Sequence, residues 1–138
     1  MFDILRFGAR TAHAKNTHFM HELSLATALV EQVQRVCEAE KASAVASIRL
    51  RLGALSGVDR ESFEFVFPLA AEGTCAAEAK LVFDQVPAEI TCDACGRHAV
   101  PGRMFLTCHA CGSNRVRITA GREFEIVSVE LKEKAVRL

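Results

Sequence analysis

Apolar residues recur along this chain at two different periods, and the switches between them mark its elements. From Ser24 onward, Leu25, Leu29, Val33, Val36 and Cys37 fall at steps of three and four, which lines one face of an α-helix. Glu31, Gln34, Arg35 and Glu38 take the opposite, solvated side. Ser24 has the side chain of an N-cap, so the helix is expected to start there. Ile48 to Leu52 then alternates apolar and charged residues, the period of a half-buried strand. Gly53 stops it, and Ser56-Gly57 marks a turn.

The next segment reads two ways. Phe63 to Phe67 alternates like a strand, yet Phe63, Val66, Phe67 and Ala70 also share one helical face. Asp59 as an N-cap and the Ala-rich continuation favour a helix, kinked or broken near Pro68. Ala79 to Val86 reads as a second strand ended by Pro87. A third strand, Glu123 to Leu131, changes phase midway: Phe124 and Ile126 point one way, Val127, Val129 and Leu131 the other. A bulge near Ile126 and Val127, or burial on both faces, accounts for that. The order is helix, strand, helix, strand, a cysteine-rich insertion, strand. That is an α+β class, with the insertion between two strands expected to pair in one sheet.

Composition narrows the setting. With 138 residues, half of them hydrophobic, the chain can bury one real core plus a small stapled module. Seventeen basic and 17 acidic side chains cancel, which argues against general nucleic-acid or anionic-membrane binding. No apolar run approaches a membrane span. Cys37 and Cys75 read as small buried thiols, and free thiols beside a thiolate metal site point to a reducing cytoplasm. Residues 1–19 differ from the rest, with Arg6, Arg10, Lys15, His13 and His18 against Asp3 alone. They lack the continuous apolar region of a secretory signal. The segment reads as a disordered extension or as translation from an early start, with Met20 as the alternative initiator and an organellar presequence as the third reading.

Candidate chemistry centres on Cys92-Asp-Ala-Cys95 and Cys108-His-Ala-Cys111. Each pair offers two thiolates to one ion, and the 12 residues between the pairs allow a hairpin that brings them together. Four soft sulfurs in a closed tetrahedron suit a structural Zn²⁺ with no open position for substrate. Gly96 and Gly112 follow the second cysteine of each pair, where a knuckle needs positive φ. Arg97, Arg103, Arg115 and Arg117 surround the site with His98 and His109. They read as cations balancing the dianionic zinc–thiolate cluster. The rival reading is a ribbon gripping nucleic acid, but Phe105, the sole ring there, is expected to pack inside. No phosphate-binding glycine loop, nucleophile elbow or H-E-x-x-H is present. An enzyme is therefore disfavoured.

Met20-His21-Glu22-Leu23-Ser24 at the head of a helix resembles the opening of the HypA/HybF family of nickel-insertion proteins. The resemblance covers residues 20 to 138. It continues through Leu52-Gly53-Ala54-Leu55-Ser56-Gly57-Val58, Phe63-Glu64-Phe65, Ala79-Lys80-Leu81-Val82-Phe83, both C-x-x-C pairs and Gly121-Arg122-Glu123-Phe124-Glu125-Ile126.

The resemblance implies a small three-stranded sheet flanked by two helices, with a protruding zinc module. The domains would be a nickel-binding unit of residues 20–87 plus 119–138 and a zinc module of residues 88–118. It implies a non-enzymatic metallochaperone for [NiFe]-hydrogenase maturation, binding Ni²⁺ at Met-His-Glu and Zn²⁺ at Cys92, Cys95, Cys108 and Cys111. Partners would be a HypB-type GTPase and the hydrogenase large subunit, with urease accessory proteins as a further possibility, and the chain a monomer or homodimer. Nickel(II) favours square-planar nitrogen ligation. His21 would give its imidazole and backbone nitrogen, Glu22 its backbone nitrogen, and a terminal amine the last position. Here the chain departs from the family pattern, because 19 residues precede Met20 and remove that amine. His18 or another donor of the extension would have to replace it. His98 and His109 lie close enough to replace a thiolate at low pH. The alternative to a nickel carrier is a zinc-ribbon adaptor that binds nucleic acid or protein.

Overall fold

The computed structural model describes residues 18–99, 107–132 and 135–137, with side chains described for residues 20–99 and 107–132. The expectations for residues 1–17, and for Arg103 and Phe105, lie outside the described residues.

Helix α1, His18–Glu40, starts six residues before Ser24. The Ser24 hydroxyl donates to the Met20 carbonyl at 3.0 Å, and Thr27 does the same to Leu23 at 2.9 Å. Both hydroxyls back-bond within the helix, so Ser24 is not a cap. The physical reason lies in Glu22, which is fully buried. It continues the buried stripe of Ala26, Leu29, Val33 and Cys37 one turn further toward the N-terminus, through a residue whose charge reads as solvated. The C-terminus closes as a Schellman motif. Lys41 takes φ 54°, the Ala42 amide donates to the Cys37 carbonyl at 2.8 Å, and the Lys41 amide to Glu38 at 3.3 Å.

Strand β1, Val45–Gly53, is followed by α2, Arg60–Ala71, and β2, Lys80–Val86, which pairs parallel to β1. Phe63 to Phe67 is helical, and α2 runs on through Pro68 for three more residues rather than breaking there. Pro68 sits in the exposed last turn, where the missing amide leaves only one carbonyl to solvent. After the insertion come β6, Phe124–Leu131, and β7, Ala135–Arg137. The main sheet has the order β2-β1-β6-β7, so a short fourth strand joins the three expected. The strands flanking the insertion share this sheet but do not pair. β1 lies between them, parallel to β2 and antiparallel to β6, and supplies both with backbone partners.

The phase fault in β6 is a bulge. Ser128 opposes Arg49 and Ile126 opposes Leu50, leaving Val127 as the extra residue. The bulge puts Phe124, Ile126, Val129 and Leu131 in one core despite the change of phase. Both helices and one sheet face share that core, which includes Ile48, Leu50, Val66 and Phe67. Phe63 is fully buried at its centre, edge-on to Phe124 at 5.3 Å and to Phe83 at 6.3 Å. On the other sheet face Arg49 grips Asp84 through two bonds of 2.7 and 2.9 Å, and each holds the other's charge in place. Cys37 is buried and Cys75 half-buried, and neither is in a disulfide.

The insertion forms a second sheet of β3, Glu89–Cys92, β4, His98–Ala99, and β5, Val116–Ala120, in the order β4-β3-β5. Its two crossings to the main sheet meet at one turn. The Ala54 amide donates to Val86 at 2.9 Å, Leu55 to Gly121 at 2.6 Å, and Gly53 to Glu123 at 2.6 Å. A Cβ on Gly53 would stand 2.1 Å from the Gly121 oxygen, so only glycine permits this approach.

Candidate metal centres

The two C-x-x-C segments fold into matched knuckles. The Gly96 amide donates to Cys92 and the Gly112 amide to Cys108, both at 2.8 Å. The Cys92 amide donates to Arg97 at 2.9 Å, and the Cys108 amide to Ser113 at 2.7 Å, the same offset in each. Gly96 and Gly112 take φ of 76° and 73°, as the knuckles require. The four sulfurs all lie within 4.8 Å of one another, with Cys92–Cys111 and Cys95–Cys108 both at 3.7 Å. A tetrahedron with Zn–S bonds of about 2.3 Å has edges of about 3.8 Å, so this donor set fits zinc.

Local electrostatics favour thiolate. The backbone amides of Cys111 and Ala110 are directed at the Cys108 thiol and bring it down to about 6. At Cys111 the Ser113 amide acts in the same direction, but burial and the neighbouring thiols win and push it up to about 11. Four thiols crowded together cannot all ionise without a cation among them, which is the electrostatic condition for a metal site. Cys92 and Cys108 are buried, whereas Cys95 and Cys111 are exposed.

The histidines and arginines do not act uniformly around this cluster. His98 Nδ1 shares a 2.8 Å hydrogen bond with Thr91 Oγ1. A cavity of about 260 Å³ beside Cys92 and Cys108 is lined by His98, His109 and Arg97. Arg117 turns away to Asp93 at 2.8 Å, a pairing that its distance of 24 residues along the chain hid from sequence reading.

His21 and Glu22 lie in the first two turns of α1, not ahead of it. Met20 is 69% exposed, His21 is half-buried and Glu22 is fully buried. Glu22 Oε1 accepts the Asp59 amide at 3.2 Å, capping α2 from a neighbouring helix, while Oε2 has no partner among the described residues. Asp59 takes the extended N-cap conformation expected of it, with the Phe63 amide on its carbonyl at 2.9 Å. Its carboxylate accepts from Ser62 at 2.5 Å instead of from a backbone amide. Sequence reading gave no signal for the Glu22–Asp59 contact, because it joins residues 37 apart.

A family model described as hydrogenase/urease nickel incorporation, metallochaperone, hypA matches residues 20–131. The hydrogenase maturation factor HypA of Synechococcus elongatus is 43% identical over 112 residues, covering 81% of this chain and 99% of that protein. That of Nitrosospira multiformis is 38% identical over 112 residues, covering 81% and 97%. The solution structure of the Ni metallochaperone HypA from Helicobacter pylori superposes with a TM-score of 0.60 at 23% identity, covering 80% of this chain and 96% of that one. A second HypA solution structure gives 0.64 at 24% identity, covering 81% and 96%.

Proposed function

This chain belongs to the HypA family of nickel metallochaperones for hydrogenase maturation, and we propose that it carries Ni²⁺ at His21. The imidazole and backbone nitrogen of His21, with the backbone nitrogen of Glu22, form the ligand set. Cys92, Cys95, Cys108 and Cys111 hold a structural Zn²⁺. With a GTPase partner it delivers the nickel to the hydrogenase large subunit by protein docking in the cytoplasm, and the protein acts as a carrier and not as a catalyst. The nickel-binding unit is residues 20–87 with 119–138, and the zinc module is residues 88–118.

The observation that carries the nickel assignment is the anchoring of Glu22. Its carboxylate is turned inward onto the Asp59 amide, so of the two side chains it is the half-buried His21 that is able to meet an ion. The first four amides of a helix lack intrahelical acceptors and are available for ligation. In a chain beginning at Met20, the His21 and Glu22 amides are among them. The zinc assignment rests on the sulfur tetrahedron. The adaptor reading is weaker, because Arg117 is already engaged by Asp93.

The test is nickel calorimetry on protein beginning at Met20. His21→Ala should abolish binding of one Ni²⁺ while zinc content and the unfolding midpoint are retained. Undiminished nickel affinity in that variant would remove the site.

A further inference from the structure

Strand β2 is an edge of the main sheet. β1 pairs with one side of it, and among the described residues no strand pairs with the other. The backbone parity of β2 is fixed at its end. The Val86 carbonyl accepts the Ala54 amide at 2.9 Å, so the even-numbered residues turn their backbone groups to β1. The amides and carbonyls of Leu81 and Phe83 then face the open side. Side chains sort by the same parity. Leu81 and Phe83 pack against the core, while Lys80, Val82 and Asp84 stand on the far sheet face, where Arg49 grips Asp84.

An open edge is a template for another strand, and proteins usually blunt it with like charges, proline or a bulge. β2 contains no proline, and its register with β1 runs unbroken from Lys80 to Val86. Its charges also fail to repel a second copy. Laid antiparallel on itself with Val82 opposite Val82, the strand sets Lys80 opposite Asp84 at both ends and Leu81 opposite Phe83 between them. Val82, 42% exposed, meets its own copy at the centre. The neighbouring cations Arg49 and Arg51 are paired with Asp84 and Glu125, whereas Lys80 makes no ion pair among the described residues. Other registers lose the match. Centring on Leu81 sets Asp84 against Glu78, and centring on Phe83 sets Lys80 against Val86.

We propose that β2 pairs antiparallel with β2 of a second copy about a two-fold axis through Val82, joining the two main sheets edge to edge. Leu81 of each copy exchanges both backbone bonds with Phe83 of the other, and the two Val82 side chains form the close, non-hydrogen-bonded pair. So few residues on each side make a weak dimer that forms as concentration rises. Each zinc module leaves its sheet after Val86, so the two depart from opposite ends of the joined strands, with their bases roughly 26 Å apart. The inference does not depend on the nickel ligands.

The experiment combines sedimentation with amide hydrogen exchange read by NMR, both on the zinc-loaded full chain. Exchange at Leu81 and Phe83 should slow as protein concentration is raised, by the factor by which sedimentation shows the monomer fraction falling. Val82, whose amide is bonded to β1, should not change. Lys80→Asp places an aspartate against Asp84 at both ends and should weaken dimerisation at least tenfold. Asp84→Lys places a lysine against Lys80 and should do the same. An equal mixture of the two variants regains both charge pairs and should dimerise where neither does alone. Lys80→Asp alters an exposed side chain outside the core, so its result stands even if Asp84→Lys, which also strips Arg49 of its partner, unfolds. Exchange at Leu81 and Phe83 that ignores concentration would overturn the proposal. A dimer that Lys80→Asp leaves intact would overturn it in favour of another interface.

Discussion

Replacing Gly53 by alanine puts a methyl group where the returning crossing of the zinc module lies. The added Cβ would stand 2.1 Å from the Gly121 oxygen and 2.7 Å from the Glu123 nitrogen, both backbone atoms. Ordinary contact is about 3.5 Å, so the two segments must separate by roughly an ångström or more. Two hydrogen bonds run through this contact, Leu55 N–H to Gly121 and Gly53 N–H to Glu123, each 2.6 Å. Overpacking costs about 1–3 kcal/mol, and each weakened bond adds about 1 kcal/mol. The total is about 3–5 kcal/mol, a large fraction of the roughly 5–15 kcal/mol that holds a domain together. Gly57 is the control: it has φ of +78° but nothing within 4 Å of its Cβ position. Alanine there should cost only about 1–2 kcal/mol for the left-handed backbone. Urea denaturation of zinc-saturated protein, followed by circular dichroism, compares the two. A midpoint loss for Gly53→Ala no larger than that for Gly57→Ala would refute the steric account of the junction.

Three further outcomes are expected. The Cys92→Ser, Cys95→Ser double variant should lose its zinc, from one ion per chain to none by metal analysis, with the helix and sheet signal retained, because the main core contains none of the four ligands. Phe63→Ala should cost about 3–5 kcal/mol, read as a fall in urea midpoint, since Phe63 is fully buried among three other rings. Zinc should be released on acidification. Without metal the Cys108 thiol is lowered to about 6 by the backbone amides of Cys111 and Ala110, so protons compete with zinc for this sulfur only on the acid side of that value. Chelator capture measured from pH 8 to 4 checks this, and zinc retained unchanged to pH 4 would contradict it.

What was legible in the sequence followed from local chemistry. The knuckles could be read because C-x-x-C with a following glycine is a complete local instruction, and the structure gives both glycines the positive φ it demands. The bulge in β6 showed as a phase fault because strand periodicity is strict. The start of α1 was hidden because Glu22 is a buried carboxylate, which pattern reading assigns to solvent. The pairing order was hidden too. Nothing in β2 or β6 states that β1 separates them, since that order is set by the parallel crossover through α2. β7 spans three residues, too short a run to signal a strand.

The extension before Met20 bears directly on the proposed nickel site. α1 begins at His18, so Glu22 is its fifth residue, the first whose amide has an acceptor four residues back inside the helix. An amide committed to that bond must give it up, at about 0.5–1.5 kcal/mol, before it can ligate an ion. In the 138-residue chain Met20 also carries an amide in place of an amine, a far poorer donor. Both effects act in the same direction. The full chain should therefore bind nickel at least tenfold more weakly than protein starting at Met20, a difference of about 1.4 kcal/mol or more. Calorimetry on the two forms measures it directly, with N-terminal sequencing of the native protein to show which form occurs. Equal affinity would mean that neither the amine nor the Glu22 amide is a ligand, and the His21 imidazole would then need donors from elsewhere on the chain.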